Sequence, residues 1–134
     1  QDFCDSNPQN YRFSPNLGHT KYLSCLKYVG LMIGNSSSGV TEAPSFQLPV
    51  VNIGDRQKGR ARSANIIDVG YSVKEISRGI RKVLLPEFKK SLKGMKNPYD
   101  PYGDGKTSKR IKDVLKTLPL TDTLIKKSFN DISF

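Results

Sequence analysis

An α/β fold, with a parallel sheet flanked by helices, is what this sequence predicts, and three observations predict it. Val29-Gly30-Leu31-Met32-Ile33 and Leu48-Pro49-Val50-Val51-Asn52-Ile53-Gly54 are short apolar segments of the kind that form buried strands. Between them runs Gly34-Asn35-Ser36-Ser37-Ser38-Gly39-Val40-Thr41-Glu42-Ala43-Pro44-Ser45-Phe46, a Gly/Ser turn that passes into a short helix start. Asn65-Ile66-Ile67-Asp68-Val69 is a third strand-like segment, followed at once by a helix signature. Strands alternating with helices at this spacing pair in parallel through crossovers.

Taken in order, the chain opens on a polar, turn-rich stretch at 1–10, read as a loop. Residues 17–29 have helical periodicity, with Tyr22, Leu23, Leu26 and Val29 on one face and Thr20 as the expected N-cap. His19, the only histidine, stands beside that helix start with no dyad partner nearby in sequence, so it reads as a surface or capping residue. After the strand and the Ser-rich turn, Pro44 keeps the helix short or bent. The strand at 49–53 leads to Gly54-Asp55-Arg56-Gln57-Lys58-Gly59-Arg60-Ala61-Arg62-Ser63, a loop with four cations, two glycines and no apolar anchor.

Beyond the third strand, Ser72 and Glu75 form a capping box for a helix with Val73, Ile76, Ile80, Val83 and Leu84 at helical spacing. Pro86 bends or ends it, and Glu87 to Leu92 continue with Phe88 and Leu92 one turn apart. The basic patch Lys89, Lys90, Lys93 and Lys96 precedes a turn-rich loop at 97–105. Thr107 or Ser108 then caps a helix with an apolar stripe of Ile111, Val114, Leu115 and Leu118, stopped by Pro119. A last short helix is expected at 121–129.

The 134 residues suit one domain with a single core. The net charge is +10, and residues 72–134 carry 15 Lys/Arg against 7 Asp/Glu, whereas residues 1–71 carry 7 against 5. Such basicity attracts polyanions, so a nucleic-acid-binding module is one reading. The sequence lacks an aromatic-interleaved basic strand, a zinc pattern and a recognition-helix signal, which counts against it. Cys4 and Cys25 form no CxxC pair, so neither a disulfide framework nor a metal site follows from them, and a reducing cytoplasm is the expected setting. No apolar run reaches transmembrane length. Starting at Gln1 on a polar stretch, the chain reads as a fragment, although a processed N-terminus would look the same.

The functional signal lies in two loops. A strand that ends in Gly/Ser and turns into a helix offers backbone N–H groups to a phosphate, with Glu42 one turn on for sugar hydroxyls. Ligands of parallel sheets sit outside the carboxyl ends of strands, where both this turn and the basic loop begin. N–H groups from one and guanidinium groups from the other suit a diphosphate. Gly/Ser turns are also ordinary connectors, and basic loops are ordinarily solvated, so the residues alone leave both readings open.

Three motifs in fixed order carry a resemblance: Gly34 to Gly39 with Glu42 to Phe46, then Pro49-Val50-Val51-Asn52-Ile53-Gly54-Asp55-Arg56-Gln57-Lys58-Gly59-Arg60, then Tyr102-Gly103-Asp104-Gly105. They resemble the UDP-N-acetylglucosamine 2-epimerase family over most of residues 17–118, and the second motif looks like its hydrolysing branch. The other branch carries an Arg-Asp-Thr-Thr-Glu-Arg-Pro-like loop there. The resemblance implies part of the second Rossmann-like domain of a glycosyltransferase-B-like enzyme, with a UDP-sugar held between two domains. It implies that Ser36 and Ser37 hold the diphosphate, Glu42 the ribose hydroxyls and Arg56 the phosphate side, while backbone at Leu17 meets the uracil. The family's reaction eliminates UDP to a glycal-like intermediate to which water adds, giving N-acetylmannosamine-type sugars for sialic-acid-like pathways. Its acid/base carboxylates lie in the other domain and His19 does not match its histidine motif, so no catalytic residue is expected here. Neither cofactor nor metal is implied, and the implied partners are the enzyme's own N-terminal domain and further copies of the full-length chain. In the late motif, Asn97-Pro98-Tyr99 is followed by Asp100-Pro101-Tyr102, as though a tripeptide were duplicated. A non-catalytic nucleotide-sugar-binding domain remains a further alternative.

Overall fold

In the computed structural model, residues 1–122 and 126 are described. The chain divides into two compact units, Gln1–Pro101 and Tyr102–Phe134. The first contains α1 (Asp2–Ser6), α2 (Gly18–Tyr28), β1 (Met32–Gly34), α3 (Ser38–Thr41), a 3-10 turn (Ala43–Phe46), β2 (Val50–Ile53), β3 (Ile66–Val69), α4 (Val73–Leu84) and α5 (Pro86–Ser91). The second contains α6 (Thr107–Thr117). The expected helix at 121–129 lies for the most part outside the described residues.

The three strands form one sheet in the order β1-β2-β3, and both pairings are parallel. Met32 stands opposite Val50 and Gly34 opposite Asn52, so the carboxyl ends of β1 and β2 lie side by side. Side chains alternate across a strand, and β2 uses both faces. Val50 joins Leu26 of α2, Ala43 and Leu48 in a buried cluster, with Tyr22, Leu23, Met32, Phe46 and Ile66 packed on it. Val51 points to α4 on the other side. A Cβ on Gly79 would come within 2.8 Å of Val69 Cγ1 and 3.2 Å of Val51 Cγ1, so the missing side chain is what lets α4 lie on the sheet. On the Val50 face, a Cβ on Gly39 would reach 2.9 Å from Val50 Cγ1, and α3 approaches the sheet in the same way. The α/β fold read from the sequence is thus the one observed, with helices on both sides of the sheet.

Several local expectations are corrected. The opening stretch holds a five-residue helix, in which Ser6 Oγ and Asn7 Nδ2 donate back to the carbonyls of Asp2 and Phe3. Asp2 and Asp5 favour its positive end, and Phe3 packs on Tyr11 with centroids 4.8 Å apart. Thr20 is not the cap of α2. Asn16 Oδ1 accepts from the Gly18 N–H at 2.7 Å, and Gly18 takes φ +67°, so the helix starts earlier. Val29 falls beyond that helix and is exposed, because the chain is already extended there. In α4 the Ser72–Glu75 box forms as read, with Ser72 Oγ accepting from the Glu75 N–H at 3.2 Å. Its buried positions are Gly79 and Val83, whereas Val73 is exposed. Neither Thr107 nor Ser108 caps α6; Asp104 Oδ1 accepts from the Lys106 N–H instead, at 3.0 Å. The apolar stripe Ile111, Val114, Leu115 and Leu118 of that helix is exposed.

Candidate functional site

The turn after β1 is made of small residues that bond locally. Gly39 N–H donates to the Ser36 carbonyl, Val40 and Thr41 N–H to the Ser37 carbonyl, and Glu42 N–H to the Ser38 carbonyl. Among the described residues no backbone carbonyl accepts from the N–H of Ser36 or Ser37. Ser36 Oγ accepts weakly from the Ser38 N–H at 3.3 Å, and both Ser36 and Ser37 are exposed. Ser38 differs. It is buried, and its hydroxyl accepts a short hydrogen bond from the Tyr22 phenol. The serine run therefore splits: Ser38 ties the turn to α2, while Ser36 and Ser37 remain available. The helix that follows has only four residues before the 3-10 turn begins, with Pro44 in the first turn of the latter. The expected helix dipole is correspondingly small, so the exposed N–H groups are the main attraction for an anion.

Glu42 stands at the junction between α3 and the 3-10 turn and is half-buried. Its carboxylate accepts from Thr41 Oγ1 at 3.0 Å, which leaves one oxygen without a side-chain donor among the described residues. A residue that sequence reasoning did not single out holds this junction. Asn97 is buried, and its Nδ2 donates at 2.8 Å both to the Thr41 carbonyl and to Ser45 Oγ, on either side of Glu42. Its own turn closes locally, with the Asp100 N–H on the Asn97 carbonyl and the Tyr99 N–H on Asn97 Oδ1.

Arg56 leaves the neighbouring strand end, is exposed and pairs with no carboxylate among the described residues. Arg62, in the same loop, is committed. Its guanidinium meets both Asp68 oxygens at 2.5 Å and the Gln57 carbonyl at 2.9 Å. Burial raises the Asp68 carboxyl, but hydrogen bonds from Arg62 and Asn52 outweigh it and hold the group below its usual value. The loop has no apolar anchor, as expected, but it does have another. It is polar: Gln57 is buried, and its Nε2 donates to the Asn35 carbonyl at 2.7 Å. No pattern in the sequence marks this glutamine beyond its being the one long uncharged polar side chain among the cations.

Leu17 immediately precedes α2 and lines a cavity of about 620 Å³ with Ser14, Pro15, Asn16, His19 and Tyr22. Through Tyr22 and Ser38 this cavity is joined to the Ser36–Ser37 turn. Ser36, Ser37 and Arg56 thus follow the carboxyl ends of β1 and β2, Leu17 precedes α2, and Glu42 stands at the junction of α3 and the 3-10 turn. A second cavity of about 390 Å³ lies at the ends of β2 and β3, where Lys58, Arg62 and Arg78 face Asp55, Asp68 and Glu75. Its charges balance, so it suits a diphosphate less well than the uncommitted Arg56 beside free N–H groups.

Among the described residues no cluster of three or more metal-ligating side chains occurs, and no helix is long and apolar enough to cross a membrane. The family profile described as UDP-N-acetylglucosamine 2-epimerase matches residues 1–116. The chain is 46% identical over 132 residues to the GDP/UDP-N,N'-diacetylbacillosamine 2-epimerase (hydrolyzing) of Campylobacter jejuni, covering 98% of this chain and 33% of that protein. It is 43% identical over 128 residues to the UDP-N,N'-diacetylbacillosamine 2-epimerase (hydrolyzing) of Legionella pneumophila, covering 95% and 31%. The polysialic acid biosynthesis protein P7 of Escherichia coli is 42% identical over 97 residues, covering 72% and 24%. The chain spans a third or less of the length of these relatives. With the turn, the basic loop and their shared strand ends all inside the matched region, this chain belongs to the UDP-N-acetylglucosamine 2-epimerase family.

Proposed function

We propose that this chain is the UDP-holding part of a hydrolysing 2-epimerase that acts on a UDP-linked 2-acetamido sugar. The observation that carries the reading is the Gln57–Asn35 hydrogen bond. It ties the loop bearing an unpaired Arg56 to the turn bearing the open N–H groups of Ser36 and Ser37. In this reading the two serines and Arg56 take the diphosphate, Glu42 takes the ribose hydroxyls and backbone at Leu17 takes the uracil. Elimination breaks the C1–O bond to UDP as the C2 proton is removed, and charge builds on the departing β-phosphate. Donors placed at that oxygen before the reaction lower the barrier without reorganising. Water then adds across the glycal-like double bond with inversion at C2. The base and acid come from an N-terminal domain in the same longer protein, which works as a homo-oligomer in the cytoplasm. The chain itself is then a partial nucleotide-binding domain of the glycosyltransferase-B type. UDP-N-acetylglucosamine and the UDP-N,N'-diacetylbacillosamine named for two relatives are the substrates to compare.

The test is UDP release by the full-length protein from each nucleotide, with the sugar product's C2 configuration read by NMR. Release of UDP with a manno-configured product is expected, and the purified 134-residue chain alone should release none. Steep loss of affinity for nucleic acid with salt, without any UDP binding, would favour the basic-module alternative.

A further inference from the structure

We propose that Gln57 is the positioning residue that sets Arg56 against the Ser36–Ser37 turn, so that the leaving diphosphate meets both at once. This rests on the function proposed above and assigns a role to a residue that touches no ligand in it. Gln57 is 1% exposed in a loop whose cations are mostly at the surface, and it is bonded from both sides. Its Nε2 donates to the Asn35 carbonyl, one residue before Ser36, and its own carbonyl accepts from Arg62. Arg62 is in turn gripped by Asp68, and Asp68 by Asn52 Nδ2 at 2.7 Å. A continuous chain of hydrogen bonds therefore runs from the end of β1 through the basic loop to β2 and β3. Arg56 is the adjoining residue, so the backbone that carries it moves only if Gln57 lets go.

The molecule contains its own control for a merely structural amide. Asn65 is 0% exposed, donates through Nδ2 to the Leu48 carbonyl at 2.9 Å, and leaves its Oδ1 without a partner among the described residues, as Gln57 leaves its Oε1. The chemistry is the same and the place is opposite. Asn65 and Leu48 precede β3 and β2, at the amino end of the sheet, whereas Gln57 and Asn35 follow β2 and β1 at the carboxyl end. A buried amide at the amino end supports the fold; one at the carboxyl end also fixes the distance between two ligand loops.

The experiment uses the full-length protein and measures affinity for UDP and for uridine by calorimetry, with thermal melting alongside. Gln57→Met keeps the volume and removes the donor. It should weaken UDP about tenfold, the scale of one coupled hydrogen-bonded contact, and leave uridine unchanged. In an Arg56→Ala background the same substitution should cost almost nothing further, because the group it positions is gone. Asn65→Leu should lower the melting temperature and leave the UDP-to-uridine ratio as in the wild type. Should Gln57→Met not fold, Arg62→Lys keeps the charge, loses the fork that grips the Gln57 carbonyl, and should lower the same ratio by a smaller factor. Equal losses for UDP and uridine, an undiminished loss without Arg56, or an unchanged ratio in Arg62→Lys would each overturn the role of Gln57. A wild-type protein that binds no UDP would overturn the proposed function as well. One that binds UDP while Gln57→Met keeps its ratio would overturn only this inference.

Discussion

Two loops leave neighbouring ends of the same sheet and are built in opposite ways. The turn after β1 folds on itself: its bonds run from backbone to backbone over three or four residues, and its side chains are small. The loop after β2 has one such local bond, from the Lys58 N–H to the Asp55 carbonyl, and is held besides by the side chains of Gln57, Arg62 and Ser63, whose Oγ donates to the Lys96 carbonyl at 3.1 Å. Among the described residues the first leaves backbone N–H groups open and the second leaves the Arg56 charge unpaired. A short self-bonded turn takes most of its shape from its own backbone. A side-chain-clamped loop keeps its shape only while each clamp holds.

The largest expected effect lies beside the self-bonded turn, at Glu42. Hydrogen bonds to a charged group contribute about 1.5–3 kcal/mol, against a few tenths for a solvated carboxylate near a helix end. Calorimetry with UDP and 2′-deoxy-UDP should show the wild-type protein losing affinity for the deoxy ligand while Glu42→Ala loses hardly any more. Parallel losses in both proteins would leave the Glu42 carboxylate with its hydrogen bond from Thr41 alone. Next comes the clamped loop. Arg56→Ala should weaken UDP by about 1.5 kcal/mol, at the low end for a charge-assisted bond because the residue is exposed, and leave uridine almost untouched. Equal losses for the two ligands would erase the distinction between a loop that offers charge and a turn that offers backbone.

A smaller effect sharpens the turn's side of it. Ser37→Ala removes one neutral hydroxyl, worth about 1 kcal/mol of UDP binding, whereas Ser37→Val should cost more by stiffening and crowding the backbone that must approach the phosphates. If valine binds UDP as well as alanine does, the backbone is not what the ligand meets. The smallest effect concerns the clamp's pH dependence. The folded protein holds the Asp68 carboxyl below its ordinary value of 3.8, so it favours the charged form. Its contribution is present above that value and is lost as pH falls through the depressed one. Melting curves of wild type and Asp68→Asn should therefore differ at neutral pH and converge in acid, by a small margin because Asp68 is half-exposed.

The same contrast explains what could be read from the residues in advance. Periodicity and turn composition showed the three strands, the Ser-rich turn and the Ser72 cap, because each is decided by neighbours in sequence. The clamps were invisible because their partners are remote: Gln57 and Asn35 are 22 residues apart, and Asn97 and Thr41 are 56. Tyr22 and Ser38 meet across 16, so nothing local showed which of three serines is withdrawn from the surface. The stripe of α6 teaches the converse. Ile111, Val114 and Leu115 have the spacing of a buried face, yet each is more than half exposed, since periodicity specifies a face and not what covers it.

Asn97 closes its own short turn to Asp100 while its side chain grips the Thr41 carbonyl on one side of Glu42 and the Ser45 hydroxyl on the other. The chain beyond that grip can therefore change length without the change being transmitted to Glu42. Closure entropy grows only with the logarithm of loop length, so a three-residue addition costs about a few tenths of a kcal/mol. The repeated Asn-Pro-Tyr and Asp-Pro-Tyr at 97–102 is then an extension of low thermodynamic weight. An anchor of this kind fixes one end of a loop whatever the length of the rest.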